Sequence, residues 1–241
     1  MKILSALAFL LLPGMALSME AVQGVARLVD SGEQVYVERH FIDSRSHRIE
    51  YRDTAGQLIA ENSLDYSRSS AAPDFRQRDF RFGTELGGRW NGETYELFYS
   101  NDARPVEPEA PLVASSGFDR FVGENWDNLA AGERIDIDFA VPTRLDTLRL
   151  RIEREASTDN AGLIWFRISA ANGLLRLVLD PIELAYDRDR RLQVYRGLSN
   201  LDSPDRKSQQ VEIRYRYCPD FIEGCPGIAS GDDRERAEPK T

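Results

Sequence analysis

Residues Ser115–Gly132, SSGFDRFVGENWDNLAAG, carry the one strong apolar stripe at helical spacing in a chain that otherwise alternates like β-strand. Phe118, Phe121, Val122, Trp126 and Leu129 recur at three- and four-residue steps, so they share one side of a helix. Ser116 with Asp119 forms an approximate capping box, and Gly132 supplies a left-handed stop. Gly123 inside the pattern costs roughly 1 kcal/mol relative to Ala. At about 1.5 Å per residue the spacing predicts a helix over 117–131, on the order of 20 Å long. A lone helix bearing two Phe and one Trp must bury them, and the surface on offer is a sheet face. The expected fold is therefore mainly β: a large antiparallel meander sheet with one principal helix on its apolar face.

The strands are read from period-two alternation between turn signals. Turns at Asp30-Ser31-Gly32, Asp43–Ser46 and Asp53–Gly56 separate strands near 22–29, 34–42, 47–53 and 58–66. A further pair, 75–82 and 93–100, is expected on either side of GTELGGRWNG, where Gly87-Gly88 and Asn91-Gly92 read as turns. The stretch 103–116, with Pro105, Pro108 and Pro111, has no periodicity and reads as a linker or an arm wrapping the sheet edge. Beyond the helix, strands are expected at 135–141, 147–153, 163–169, 174–180, 181–186, 191–198 and 210–217. In the first two of these, Asp136 and Asp138 fall opposite the arginines of TLRLRIE across a tight turn at Pro142-Thr143-Arg144. An Asp-x-Asp pair can hold a metal in sugar transferases, but arginines opposite neutralise it, so a salt-bridged ladder is expected. The expected organisation is one domain over 19–225, its halves 19–102 and 117–225 joined by 103–116, with a disordered polar tail at 226–241.

The N-terminus, MKILSALAFLLLPGMALS, reads as a secretory signal over 1–18: Lys2, then the apolar run Ile3–Leu12, then a break at Pro13-Gly14. Ala16 and Ser18 fit cleavage before Met19, with a second compatible cut after Ala21. The run is shorter than the roughly 20 apolar residues of a bilayer span, and no later stretch is longer, so no transmembrane segment is expected in the mature chain. No cysteine stands at the cut to be acylated. The expected location is the periplasm, or secretion beyond it. The formal net charge of −9 argues against nucleic acid as a partner.

Chemistry-bearing residues are few. Cys218 and Cys225, the only cysteines, are too far apart for a CxxC redox motif and too few for zinc; in an oxidising compartment they read as one disulfide. His40 and His47 are the only histidines. With the intervening loop centred on Ser44-Arg45, His40 lies opposite Ile49 and His47 is its diagonal neighbour on the same face. No third ligand stands at a recognisable spacing, and Arg39, Arg45 and Arg48 oppose a cation, so surface histidines near a hairpin end are expected rather than a metal site. No GxSxG elbow occurs, and no cofactor motif is found.

Long antiparallel hairpins with one apolar face, one helix laid into it and a secretory signal resemble the LolA/LolB-like half-barrel periplasmic carriers and the exported bacterial proteins of similar pattern. The resemblance covers 22–217 and is one of pattern, with no motif matched residue by residue. It implies a curved or half-barrel sheet and a ligand class of lipids or lipoprotein acyl chains. The expected function is accordingly a non-catalytic exported protein holding an apolar ligand. Candidate lining residues are Phe118, Phe121 and Trp126 on the helix and Phe139, Leu150, Phe166 and Tyr215 on strands. The rival reading is a solid core in an envelope interaction or assembly protein that binds a partner by its Arg/Asp face or a sheet edge. A hydrolase stands third: paired carboxylates are plentiful, but none stands out from the general charge.

Overall fold

The computed structural model describes residues 20–156, 162–173 and 179–218. They form one sheet whose order is not the order of the chain. The N-terminal run is β1 (Glu20–Leu28), β2 (Gln34–Ile42), β3 (Ser46–Arg52), β4 (Leu58–Asp65), β5 (Asp74–Asp79), β6 (Thr84–Asn91), β7 (Thr94–Tyr99) and β8 (Asp102–Val106). The second run is β9 (Leu112–Val113), β10 (Ile135–Val141), β11 (Asp146–Glu155), β12 (Ile164–Ala170), β13 (Ile182–Tyr186), β14 (Leu192–Leu198) and β15 (Gln210–Cys218). Each strand pairs antiparallel with its sequence neighbour, except that β9 lies parallel to β10. The first strand pairs with the last, Val22 facing Tyr217 and Leu28 facing Val211, so the chain ends meet mid-sheet and β8 and β9 form its two edges.

That topology forces curvature. Flat, a sheet of 15 strands would be about 67 Å wide at roughly 4.8 Å per step. Yet β8 and β9 are joined only by residues 107–111, which reach about 20 Å when fully extended. The edges must therefore be brought round toward each other. At the seam β8 approaches β11, and the 3-10 turn Pro142–Arg144 packs against β6 and β7. Val106 and Tyr95 share an apolar cluster there with Leu112, Ala140 and Leu145. The sheet is tightly curled but not closed, since β8 and β9 pair with no common strand. The stretch expected to be a linker thus supplies both edges of the sheet.

Two other expectations are corrected. Residues 83–92 are not a connection but mostly the strand β6. Gly87 and Gly88 sit inside it because neighbours come too close for a side chain: a Cβ would lie 2.1 Å from the Phe75 carbonyl oxygen at Gly87 and 2.5 Å from the Tyr95 hydroxyl at Gly88. The positive φ that a turn needs falls at Gly92, in the expected Asn91-Gly92 turn, and at Gly83. The helix is two short ones, α1 (Gly117–Glu124) and α2 (Trp126–Ala130), broken at Asn125 (φ −103°, ψ 15°). The Asn125 side-chain amide donates to the Phe121 carbonyl at 2.9 Å, a local bond of the kind that competes with helix continuation. The capping box does not form: Ser116 makes no side-chain cap, and the Asp119 carboxylate serves Tyr186 instead. Gly117 seats the start of α1, because a Cβ there would meet the Ala71 carbonyl at 2.2 Å. Gly132 does adopt the left-handed stop, at φ 97°.

On the wet face, the ladder expected at β10–β11 is present. Asp136 takes Arg151 at 2.6 and 2.9 Å, and Asp138 takes Arg149 at 2.5 and 3.1 Å. Asp138 is buried, because it also accepts the backbone N–H groups of Glu109 and Ala110. The run 174–180 falls largely, and the expected signal segment 1–18, Cys225 and the expected tail 226–241 wholly, outside the described residues. Cys218 ends β15, buried. Among the described residues, no helix is long and apolar enough to cross a membrane.

Candidate functional site

The inner face is not uniformly packed. Under α2 and the second half of α1, Phe121, Val122, Trp126 and Leu129 join Val113, Ile137, Ile152, Phe166 and Tyr186 in one buried cluster. Trp126 stands edge-on to Phe166 and Tyr186 at 5.4 and 5.5 Å between ring centres. Under the first turn of α1 the packing opens into a cavity of about 200 Å³. Its apolar wall includes Phe118, Phe139, Leu184, Tyr215 and Tyr217, and its polar wall His40, His47, Tyr66, Asp119 and Arg120. Of the seven candidate lining residues, Phe118, Phe139 and Tyr215 border this cavity; Phe121, Trp126, Leu150 and Phe166 belong to the packed cluster.

The histidines are not on the surface. His40 does lie opposite Ile49, as the loop position required, but β2 presents it inward, and both rings are buried. The His40 Nδ1 is 2.9 Å from the His47 Nε2, and the His40 Nε2 is 2.9 Å from Glu38 Oε2. Glu38 is itself 2% exposed. At the other end His47 Nδ1 is 3.4 Å from the Tyr66 hydroxyl, and Tyr215 donates to Glu38 Oε2 at 3.2 Å. With one proton on each ring and the carboxylate accepting, one directional chain satisfies these contacts: Tyr66 to His47, His47 to His40, His40 to Glu38. Burial, and after it the neighbouring His40 and Arg120, hold the His47 pKa well below the usual histidine value. A metal would need two lone pairs converging on one point, and here the facing nitrogens are turned to each other.

The strands place these groups by register. Glu38 and His40, two residues apart, share the inner face of β2. Gly24 of β1 lies between Glu38 and Tyr215 in the ladder, and a Cβ on it would come within 2.8 Å of the Tyr215 ring. Its bare backbone is what lets that ring lie across β1 and reach Glu38. His47 projects from the start of β3, and Tyr66 follows β4.

The first turn of α1 roofs the polar end. Asp119 Oδ1 accepts the Tyr186 hydroxyl at 3.0 Å. Asp119 is exposed by its own surface although protein surrounds it at longer range, and it is among the residues that line the cavity. Burial pushes its carboxyl pKa up, against the lowering influences of Tyr186, His40 and Arg120. Arg120 points the other way: its guanidinium donates to the Asp43 and Ser44 carbonyls at 3.2 and 3.3 Å and lies 3.5 Å over the Tyr66 ring. It fastens the helix to the β2–β3 turn. Ser115, at φ 49°, also borders the cavity, and its hydroxyl accepts from the Asn62 side chain at 3.0 Å.

No protein-family model and no curated protein matches this sequence. Among solved structures, the chain is similar to the crystal structure of a β-barrel-like protein of a domain of unknown function, DUF1849, from Brucella abortus. The identity is 9%, the TM-score 0.49, and the match covers 84% of this chain and 96% of that one.

Proposed function

We propose that this is an exported, non-catalytic protein of the bacterial envelope that holds a small apolar ligand between its first helix and the curled sheet, in the manner of the LolA/LolB-like carriers. The observation that carries the reading is the cavity itself, open beneath Phe118 while the rest of the helix pair is packed against the sheet. Its volume of about 200 Å³ exceeds the roughly 150 Å³ that accommodates a benzene ring and falls below the roughly 300 Å³ at which drug-sized sites begin. By proportion it suits on the order of eight carbon atoms, one short chain or the end of a longer one, rather than a whole multi-acyl anchor.

The non-catalytic reading is supported by the partners of the histidines. Among the described residues neither imidazole hydrogen-bonds a serine or cysteine; the free end of the pair goes to Tyr66, and the Ser115 hydroxyl goes to Asn62. The test is protein purified from its own envelope without detergent, followed by native mass spectrometry and solvent extraction. A co-purifying amphiphile of one short chain is the expected result. Protein that carries no added mass, and that takes up no eight-carbon probe, would remove the binding reading.

A further inference from the structure

We infer that the cavity selects a cationic head: its ligand is an alkylamine or alkylammonium whose charged end sits against Asp119. This rests on the binding reading above and names the class of ligand. Asp119 uses one oxygen, Oδ1, to accept from Tyr186; Oδ2 has no hydrogen-bond partner among the described residues. The carboxylate therefore presents an open acceptor to a space that is otherwise mainly aromatic and aliphatic.

The cations nearby are occupied. Both terminal nitrogens of Arg120 are held by the Asp43 and Ser44 carbonyls, and the guanidinium face lies on Tyr66. Arg191 lies over the Tyr217 ring, 5.1 Å from its centre. Other titratable groups that interact with Asp119 are Tyr186, His40, Glu20, Tyr66 and Tyr217, and Glu20 repels. The second carboxylate of the interior, Glu38, closes the relay behind His40 and leaves its Oε1 without a partner. Asp119 is the one carboxylate among the residues lining the cavity, so an anionic head would meet a like charge there and an ammonium an opposite one. Phe118 and Tyr215, which border the same space, add the ring surfaces that favour such cations over neutral heads.

The test holds the tail constant and varies the head. Octylamine, octyltrimethylammonium, octan-1-ol and octanoate are titrated calorimetrically into the exported chain and into Asp119→Asn. Octylamine is expected to bind at least tenfold more tightly than octanol, and octanoate most weakly. In Asp119→Asn the amine-to-alcohol ratio should fall to within about twofold, with octanol unchanged. Because Asp119 is exposed and the substitution keeps an oxygen for Tyr186, the variant should melt close to the wild-type temperature at neutral pH. Octanol or octanoate binding as tightly as the amine would overturn the inference and leave the binding reading standing. Binding of none of the four would end both. An amine preference that survives in Asp119→Asn would place the recognition elsewhere and overturn the assignment. Should that variant fail to fold, the wild-type series and Tyr186→Phe, which frees Oδ1 and should keep the amine preference, still decide the matter.

Discussion

Phe118 and Phe121 stand three residues apart on one helix, yet they border different kinds of interior. Phe121 lies with Trp126 and Leu129 in a buried cluster where aromatic rings meet edge to face. Phe118 looks onto open space whose polar wall includes His40, His47 and Tyr66, with Glu38 bonded to His40 behind it. Polar satisfaction divides the same way. On the outer face of β10–β15 the acids are met by arginines across the ladder, as Glu212 is by Arg196 and Arg214 and Glu183 by Arg167 and Arg196. Among the described residues, Glu38 Oε1, Tyr51 OH and Asn62 Oδ1 in the first half are buried without a hydrogen-bond partner, against Ser169 Oγ alone in the second. A protein under selection for stability alone would fill such a space and pair such groups, since each unsatisfied buried polar atom costs about 1–3 kcal/mol. The contrast separates the packed part of the interior from the part left open.

The largest expected effect lies on the packed side. Trp126→Ala should cost about 3–5 kcal/mol, because the space under α2 has nothing else to fill it. Octanol affinity in the surviving folded protein should stay within about twofold, since Trp126 does not border the cavity. Chemical denaturation and calorimetry on the same samples check both halves. A loss of binding at small stability cost would move Trp126 to the cavity side and dissolve the distinction.

The next effect is pH-dependent. The native pKa of His47 lies well below the unfolded value of roughly 6.5, so below that pH the unfolded chain binds a proton that the folded chain refuses. Stability contributed by neutral His47 is therefore present above about pH 6.5 and lost as pH falls beneath it. Between pH 7.5 and 5.5 this single site should remove at most about 1.4 kcal/mol. Asp119, with its pKa raised, works oppositely: its contribution falls as pH rises from about 4 through its native value. His47→Phe should flatten the drop between pH 7.5 and 5.5, as read by urea unfolding at each pH. Equal drops in both proteins would mean that the relay does not exclude the proton.

Alternation made much of the fold legible. Strands such as 34–42 and 135–141 lie where period two placed them, and the Asp136–Arg151 and Asp138–Arg149 pairs followed from one turn and two faces. The strand β6 was hidden because its two glycines, required by the close approach of Phe75 and Tyr95, look like turn residues to a local reading. The return of 103–116 to both sheet edges was hidden because it depends on the pairing of β1 with β15, nearly two hundred residues apart. Half of the site was within reach. Spacing put His40 and His47 on one face, and Tyr36, Glu38 and His40 alternate with residues of the other face, so an acid and a histidine were already aligned with a buried tyrosine. What sequence could not supply was which face turned inward. Asp119 was masked by a competing role, since a cap three residues after Ser116 is the ordinary use of that position.

Phe118→Ala should have the smallest effect on stability and a clear one on binding. Its ring is only partly buried and already borders open space, so truncation creates little new void. Full burial of a Phe is worth about 1.5–3 kcal/mol, and a ring that keeps an open side should forfeit about 1 kcal/mol. On the binding reading proposed above, its contact is with the tail and is indifferent to the head. Octylamine and octanol should therefore weaken together, each by roughly tenfold, with their ratio unchanged. That pattern is the converse of Asp119→Asn, in which the ratio collapses and the alcohol is untouched. A cost near the Trp126→Ala value with binding intact would show that Phe118 and Phe121 serve the same packed interior, and the helix would then have one function rather than two.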